Sequence, residues 1–149
     1  MAKSSKTDKD TWLSTVPGPL MAGKRGLIMG VANHNSIAWG IARALHQHGA
    51  TLAFTCQGEA LERRVRPLAE QVGSNFVELC DVEDRAILSG VFDKLALNWG
   101  DIDFVVHAVA YSDKEELNGR YVDTTKENFQ RTMDVSCYSF TAVAHHASQ

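Results

Sequence analysis

Apolar residues recur along this chain in two alternating patterns. Short apolar runs of strand length occupy residues 25–29, 51–55, 75–79 and 102–108. Elsewhere, apolar residues recur every three or four positions, which is the spacing of one helix face. These helical segments span residues 36–48, 59–72, 83–98 and 126–147. Four strand–helix units in succession predict an α/β fold with a parallel sheet and right-handed crossovers.

The spacing also indicates which helix residues share an apolar face. In the first helix, Ile37, Ile41 and Leu45 lie on one face. In the third helix, the apolar set is Leu88, Val91, Phe92 and Leu95. In the last helix, the set expected to point inward is Phe129, Met133, Cys137 and Phe140. The unbroken apolar run at 102–108 is typical of a parallel strand that is covered on both faces.

Local signals mark the ends of the helices. Ser36 suits the N-cap of the first helix, and Gly49 suits the position just after its end. Pro67 is expected to bend or interrupt the second helix. Before the last helix, Thr124 and Glu127 have the spacing of a capping box, in which two residues satisfy each other's free amides.

Composition limits the partners that this chain is expected to bind. Its 149 residues suit one domain, and 44% of them are apolar, which is enough for one core. The net charge is −3 with no basic face, so nucleic acid is a poor candidate. No apolar stretch approaches the roughly 20 residues of a membrane helix, and no secretory signal is recognisable. The three cysteines lack metal-ligand spacing, so we expect free thiols in a reducing cytoplasm.

The turn after the first strand is the best candidate for binding an anion, because ligands of doubly wound sheets lie beyond the strands' carboxyl ends. Gly30 permits a tight turn and close approach of a phosphate, and free amides near Ile37 would attract an anion. The Ser36 hydroxyl is within reach of such a phosphate, and Gly40 is expected to let the helix pack close to the sheet. The fingerprint G-x-G-x-x-G is absent, so Gly30 and Ser36 are alternatively only a strand end and a helix cap.

Several segments carry a resemblance to a known family. The turn has the form G-x5-S-x3-G, with Gly30, Ser36 and Gly40, inside residues 23–61. The similarity continues through CDVED, WGDIDFVVHAVAYSDKEELNGRYVDTT and FQRTMDVSCYSFT. These segments resemble the bacterial NADH-dependent enoyl-acyl-carrier-protein reductases, a divergent branch of the short-chain dehydrogenase/reductases.

The resemblance implies a fold and a domain organisation. We expect a Rossmann-like, doubly wound parallel sheet that is incomplete, with about four strands and flanking helices. Residues 21–149 would be the N-terminal part of a dinucleotide-binding Rossmann domain. Residues 1–20 are expected to be a disordered tail, because their polar run and Pro17-Gly18-Pro19 favour no packed structure.

The resemblance also implies site residues. Those expected to bind NADH/NAD are Gly30, Ser36, Ile37, Gln57, Asp81, Val82 and Val109. The first three would hold the diphosphate, and Gln57 would contact the adenosine ribose. Asp81 and Val82 would flank the adenine, although Asp81 is also a candidate N-cap for the third helix. Val109 would lie against the nicotinamide-side ribose, and Ser112 would touch the substrate.

The implied reaction is NADH-dependent reduction of a trans-2-enoyl-acyl-carrier-protein in fatty acid biosynthesis, by a homotetrameric parent enzyme. The family uses a Tyr-x6-Lys motif after a fifth strand to stabilise and protonate an enolate. Here the residue seven positions after each tyrosine is Asn or His. No catalytic residue is therefore assigned, and the chain is expected to end before the motif. The alternative is a catalytically inactive, truncated nucleotide-binding module.

Further expectations concern cofactor choice and the histidines. Gln57 is neutral with no adjacent cation, which favours NADH over NADPH, unless the arginines at 63, 64 and 66 fold back towards it. His107 lies in an apolar strand and is expected to be hydrogen-bonded rather than catalytic. No convergent histidines or cysteines indicate a metal site.

An apolar face of the last helix is expected to stay uncovered and to favour association.

Overall fold

The structure is a computed structural model that describes residues 19–149. The predicted tail, residues 1–20, lies outside the described residues except for its last two positions. Within the described part, strands and helices alternate as the apolar pattern predicts.

The sheet is parallel and four-stranded within residues 19–149, in the order β3-β2-β1-β4. Its strands are β1 (Arg25–Met29), β2 (Thr51–Cys56), β3 (Val77–Leu79) and β4 (Phe104–His107). Gly26 of β1 pairs with Leu52 on one side and Phe104 on the other. A β-carbon at Gly26 would overlap the Phe104 ring at 2.0 Å, so the glycine makes room for that aromatic side chain.

The helices flank both faces of the sheet. They are α1 (Ile37–Gln47), α2 (Glu59–Gln71), α3 (Arg85–Trp99), α4 (Lys126–Met133) and α5 (Ser139–Ala147). Short 3₁₀ turns at Glu115–Leu117 and Tyr121–Asp123 lie in the loop after β4. A π-helical turn, Asp134–Tyr138, joins α4 to α5, so the predicted last helix is continuous but irregular in its middle.

Two apolar clusters form the core, one on each face of the sheet. On one face, Phe54 and Leu52 pack with residues of α1 and α2. On the other face, Leu27 packs with residues of α3 and the last helices, including Leu88 and Val143. This arrangement confirms the doubly wound α/β fold and the predicted inner face of α3.

The predicted faces of two other helices are wrong. Ala38, Trp39 and Ala42 are the buried residues of α1, whereas Ile37 is 81% exposed and Ile41 is exposed. Only Leu45 of the predicted set packs against the core. The predicted inward residues of the last helix are all exposed: Phe129, Met133, Cys137 and Phe140. Other residues of these helices fill the core instead, namely Val135, Ser139, Ala142 and Val143.

Some predicted turn signals are also corrected. A β-carbon at Gly40 would meet nothing within 4 Å, so this glycine does not allow close packing on the sheet. Thr125, not Thr124, caps α4 by accepting a hydrogen bond from the Asn128 amide at 3.2 Å. The carboxylate that completes this cap comes from Glu116, which accepts from the Thr125 amide and hydroxyl at 2.9 and 2.6 Å. Pro67 lies inside α2 without interrupting it.

β4 is at the edge of the described sheet, although its sequence is that of an interior strand. Phe104 and Val106 pack against one core cluster and Val105 against the other, as the apolar run predicts. Each residue of β4 is nevertheless only half-buried, because one side of the strand has no neighbour within residues 19–149. None of the helices described between residues 19 and 149 is long and apolar enough to cross a membrane.

Candidate nucleotide site

A cleft of about 190 Å³ opens at the carboxyl edge of the sheet. Segments that follow all four strands line it: Gly30 and Val31, Cys56 and Gln57, Cys80 to Glu83, and Ala108 to Tyr111. Leu61 of α2, Arg131 of α4 and Val135 of the π-helical turn complete its walls. The cleft therefore lies where a doubly wound sheet binds its ligands.

Gly30 begins the turn after β1 and has a φ of +96°, a conformation that residues with side chains rarely adopt. A β-carbon at this position would lie 2.0 Å from the carbonyl oxygen of Ala108, just beyond β4. Gly30 is therefore required by the contact between two neighbouring turns, and it opens the floor of the cleft at their junction.

Ser36 holds the rest of this turn in place. Its hydroxyl oxygen accepts hydrogen bonds from the amides of Ala32 and Asn33, both at 3.0 Å. It makes no side-chain bond to its own helix, although it occupies the N-cap position of α1. Because the oxygen accepts both bonds, the hydroxyl proton stays available, and it donates to no acceptor among the described residues.

The first two amides of α1, those of Ile37 and Ala38, have no acceptor in the described part of the chain. Such free amides, together with the partial positive charge of a helix N-terminus, favour an anion. The Ile37 side chain itself is exposed, so its amide and not its side chain is the group suited to binding.

Gln57 and Asp81 connect the segments after β2 and β3. The Gln57 carboxamide nitrogen donates to Asp81 Oδ2 at 2.9 Å, and Asp81 Oδ1 accepts from the Glu83 amide at 3.0 Å. Asp81 thus stabilises a turn, while Asp84 caps α3 by accepting from the amides of Ala86 and Ile87. Each carboxylate oxygen of Asp81 retains a second lone pair for a ligand.

The cleft walls are otherwise largely apolar. Val82 is buried beside Asp81 and belongs to the core cluster that contains Leu27 and Leu88. Val109, which follows β4, packs against that cluster. Burial is the main cause that raises the pKa of the Cys56 and Cys80 thiols, each to about 11. Both cysteines are therefore protonated at neutral pH and contribute apolar surface rather than reactive thiolates.

Arg131 reaches across the rim of the cleft from α4. Its guanidinium donates to both carboxylate oxygens of Glu83, at 3.0 Å from Nε and 2.9 Å from Nη2. The guanidinium carbon also lies 4.5 Å from the centre of the Tyr111 ring. The hydrogen bonds to Glu83 are the largest cause that raises the pKa of Arg131, so its charge is permanent.

Ser112 lies beside the cleft but not in its wall. Its hydroxyl oxygen accepts from the Asn128 side-chain amide at 3.2 Å, and the Asn128 side-chain oxygen accepts from the Asp113 amide at 2.8 Å. Asn128 thereby fixes the start of the loop after β4 against the first turn of α4. The predicted contact of Ser112 with a substrate stays a prediction.

His107 has a structural environment, as its place in an apolar strand predicts. The Ser139 hydroxyl donates to the Val135 carbonyl at 2.6 Å, so its oxygen accepts from Nε2 of His107 at 2.7 Å. Burial lowers the pKa of His107. The neutral ring therefore links β4 to the helix that covers it, outside the cleft.

The structure brings together in the cleft Gly30, Gln57, Asp81, Val82 and Val109. Ser36 and Ile37 do not line the cleft; they lie at the start of α1, where the Ser36 hydroxyl accepts from the amide of Ala32, a residue that does line it. Arg131 and Glu83 are not predictable from the sequence as cleft residues, since charged side chains on helices and turns normally face solvent. Only the three-dimensional proximity of α4 to the turn after β3 identifies them.

Comparisons with known proteins show which proteins this chain is similar to. The sequence profile of the family described as Enoyl-(Acyl carrier protein) reductase matches residues 30–149. The chain is 60% identical over 130 residues to enoyl-[acyl-carrier-protein] reductase [NADH] 1 of Rhizobium meliloti, covering 87% of this chain and 48% of that relative. It is 49% identical over 128 residues to FabI of Rickettsia felis, covering 86% and 49%.

Solved structures show the same relationship. FabI from Candidatus Liberibacter asiaticus superposes with a TM-score of 0.84 at 52% identity, covering 86% of this chain and 50% of that one. The Anaplasma phagocytophilum enoyl-(acyl-carrier-protein) reductase, solved in complex with NAD, has a TM-score of 0.83 at 53% identity, covering 87% and 50%. The chain thus spans about half the length of the relatives that it matches.

Proposed function

This chain belongs to the enoyl-(acyl carrier protein) reductase family, and from that premise we propose that it is the cofactor-binding half of an NADH-dependent enoyl-acyl-carrier-protein reductase. The observation that carries the proposal is the cleft at the carboxyl edge of the sheet. Predicted cofactor residues from separate parts of the sequence meet there: Gly30, Gln57, Asp81, Val82 and Val109.

The diphosphate of the cofactor would lie at the start of α1. The amides of Ile37 and Ala38 supply two donors without acceptors in the described chain, and the Ser36 hydroxyl supplies a third. Gly30 leaves the adjacent floor free of a side chain. These donors suit a diphosphate, because N–H and O–H groups at a helix N-terminus bind anionic oxygens well.

The adenosine would lie between the turns after β2 and β3. Asp81 has lone pairs left to accept a hydrogen bond from the exocyclic amine of adenine, and the Val82 side chain offers an apolar contact for the ring. Gln57 lies at the same edge to contact the ribose. The negative charge of Asp81 beside it also disfavours the 2′-phosphate of NADPH, so we expect NADH to be preferred.

The nicotinamide end would lie towards Val109, beyond β4. When bound, NADH supplies the hydride that reduces the double bond of a 2-enoyl thioester. The residues of this chain would bind and orient the cofactor, and Ser112 would contact the substrate at the start of the loop. We assign no catalytic residue within the 149 positions.

The remaining parts of the proposal follow from family membership. The substrate would be a trans-2-enoyl group carried on acyl carrier protein, and the parent enzyme would act in fatty acid biosynthesis. We propose a cytoplasmic location and a homotetrameric parent. Residues 21–149 would form the N-terminal part of its dinucleotide-binding domain.

Calorimetric titration of the chain with NADH and NADPH tests the proposal. NADH should bind and should bind more tightly than NADPH. The Asp81→Ala variant should weaken NADH binding about tenfold, because it removes a charge-assisted acceptor for adenine. Asp101→Asn, a change at an exposed aspartate outside the cleft, should not change it. Absence of NADH binding, or equal affinity in the Asp81 variant, would contradict the proposal.

A further inference from the structure

Arg131 connects two walls of the cleft that the sheet itself keeps apart. One wall follows β3 and contains Asp81, Val82 and Glu83; the other follows β4 and contains Val109 and Tyr111. Two strands, β2 and β1, lie between β3 and β4. The ends of β3 and β4 are therefore separated by three strand spacings, roughly 14 Å.

The guanidinium of Arg131 contacts both walls at once. Its fork pairs with Glu83, whose side chain is 29% exposed, and its plane lies over the Tyr111 ring. A planar fork can satisfy both contacts together, whereas the compact ammonium group of a lysine cannot. This three-residue contact, Glu83–Arg131–Tyr111, is called the bridge below.

Each end of the bridge is attached to the backbone of its wall. The Glu83 amide donates to Asp81 Oδ1, so this end of the bridge is attached to the adenosine wall through a backbone bond that substitutions of the Glu83 or Arg131 side chain leave in place. At the other end, the Tyr111 amide donates to the Ser136 hydroxyl oxygen at 3.1 Å, and that hydroxyl donates back to the Tyr111 carbonyl. The Tyr111 backbone is thus fixed to the helix that follows the Arg131 position.

We propose that Arg131 is a positioning residue for the dinucleotide, which sets the spacing between the adenosine wall and the nicotinamide wall through its bridge to Glu83 and Tyr111. The inference rests on the proposed function, because only a ligand that spans both walls senses their spacing. NADH would span both walls, whereas ADP would contact only the adenosine wall and the free amides at the start of α1.

The test measures affinities for NADH and ADP by calorimetry, on the full chain and on variants that keep every charge. Arg131→Lys removes the planar fork, and Glu83→Asp shortens the other arm of the bridge. Arg120→Lys is the matched control, because Arg120 also pairs with both oxygens of a carboxylate, Asp123, but lies outside the cleft. Thermal unfolding of each variant monitors the fold.

Each bridge variant should weaken NADH binding three- to tenfold and change ADP binding less than twofold. The double variant should match either single variant, since each breaks the same bridge. Equal loss for NADH and ADP, unchanged NADH affinity, or multiplied losses in the double variant would overturn the inference. If one single variant does not fold, the other still gives the NADH-to-ADP comparison. Failure of the unaltered chain to bind NADH would instead refute the proposed function.

Discussion

At the scale of single residues, Gly30 has a structural requirement that is independent of any ligand. Its positive φ and the carbonyl of Ala108 both exclude a side chain. A glycine in a nucleotide-binding turn is usually explained by the phosphate that approaches it. Here the neighbouring turn is the nearer constraint, so a stability measurement and a binding measurement report different roles of the same residue.

Gly30→Ala should therefore lower the free energy of unfolding by about 3 kcal/mol, from backbone strain and steric overlap together. Gly73→Ala is the control, because Gly73 has a φ of +69° but open space around a β-carbon. That change should cost only about 1 kcal/mol. Urea denaturation of both variants gives the comparison, and equal losses would show that the Ala108 contact is unimportant.

His107 predicts a pH dependence of stability. Burial lowers its pKa in the folded state, so between that pKa and the ordinary value of 6.5 the unfolded chain binds more protons. Stability should therefore fall as the pH drops below about 6.5 and level off below the folded pKa. His107→Gln, which keeps a donor near Ser139, should flatten this part of the profile. Parallel pH profiles for the two proteins, from urea denaturation, would refute the assignment.

At the scale of elements, the strand–helix order and the buried face of α3 are predictable from sequence, but the face of α1 is not. Ile37 and Ile41 are four positions apart, and so are Ala38 and Ala42. Helical spacing alone cannot choose between these pairs. Trp39 decides the face, because its ring is buried against Phe54 at a centroid distance of 6.5 Å, and the small alanines allow that close approach.

The cap of α4 shows why boundaries are harder to predict than elements. Thr124 and Glu127 have the sequence spacing of a capping box, yet Thr125 caps the helix with the help of Glu116, nine positions earlier. The partner comes from a folded loop, which a local motif does not include. The Gln57–Asp81 bond and the contact of Arg131 with Glu83 are unpredictable for the same reason, because their partners are distant in sequence.

Substitution of each threonine distinguishes the two caps. Thr125→Ala should cost about 1–2 kcal/mol, because it removes the cap and the hydroxyl bond to Glu116. Thr124→Ala should stay within about 0.5 kcal/mol. Chemical denaturation is the measurement, and the reverse order of effects would restore the capping box expected from the sequence.

At the scale of the whole molecule, the last helix presents an apolar face to solvent. Phe129, Met133, Cys137 and Phe140 are exposed, in agreement with the expected uncovered face but not with the expected inward set. The sequence correctly marks these positions as apolar. The sequence does not predict what covers this face, because no element within residues 19–149 packs on the exposed side of the last helix.

The exposed face should make the chain associate as its concentration rises. A Phe129→Glu, Met133→Glu double variant should weaken this association at least tenfold, because it places charges on the contact. Leu97→Glu, at an isolated exposed leucine of α3, is the matched control. Sedimentation velocity over a range of concentrations measures the effect, and a monomer at every concentration would contradict the expectation.

The cleft at the carboxyl edge of the sheet should bind a dinucleotide. A crystal structure of this chain with NADH is the measurement that shows where the cofactor lies. It should place the diphosphate within hydrogen-bond distance of the Ile37 and Ala38 amides, with the adenine between Asp81 and Val82. A diphosphate bound elsewhere would contradict the proposed dinucleotide site. The same holds if the chain's own side chains fill the space beside Gly30.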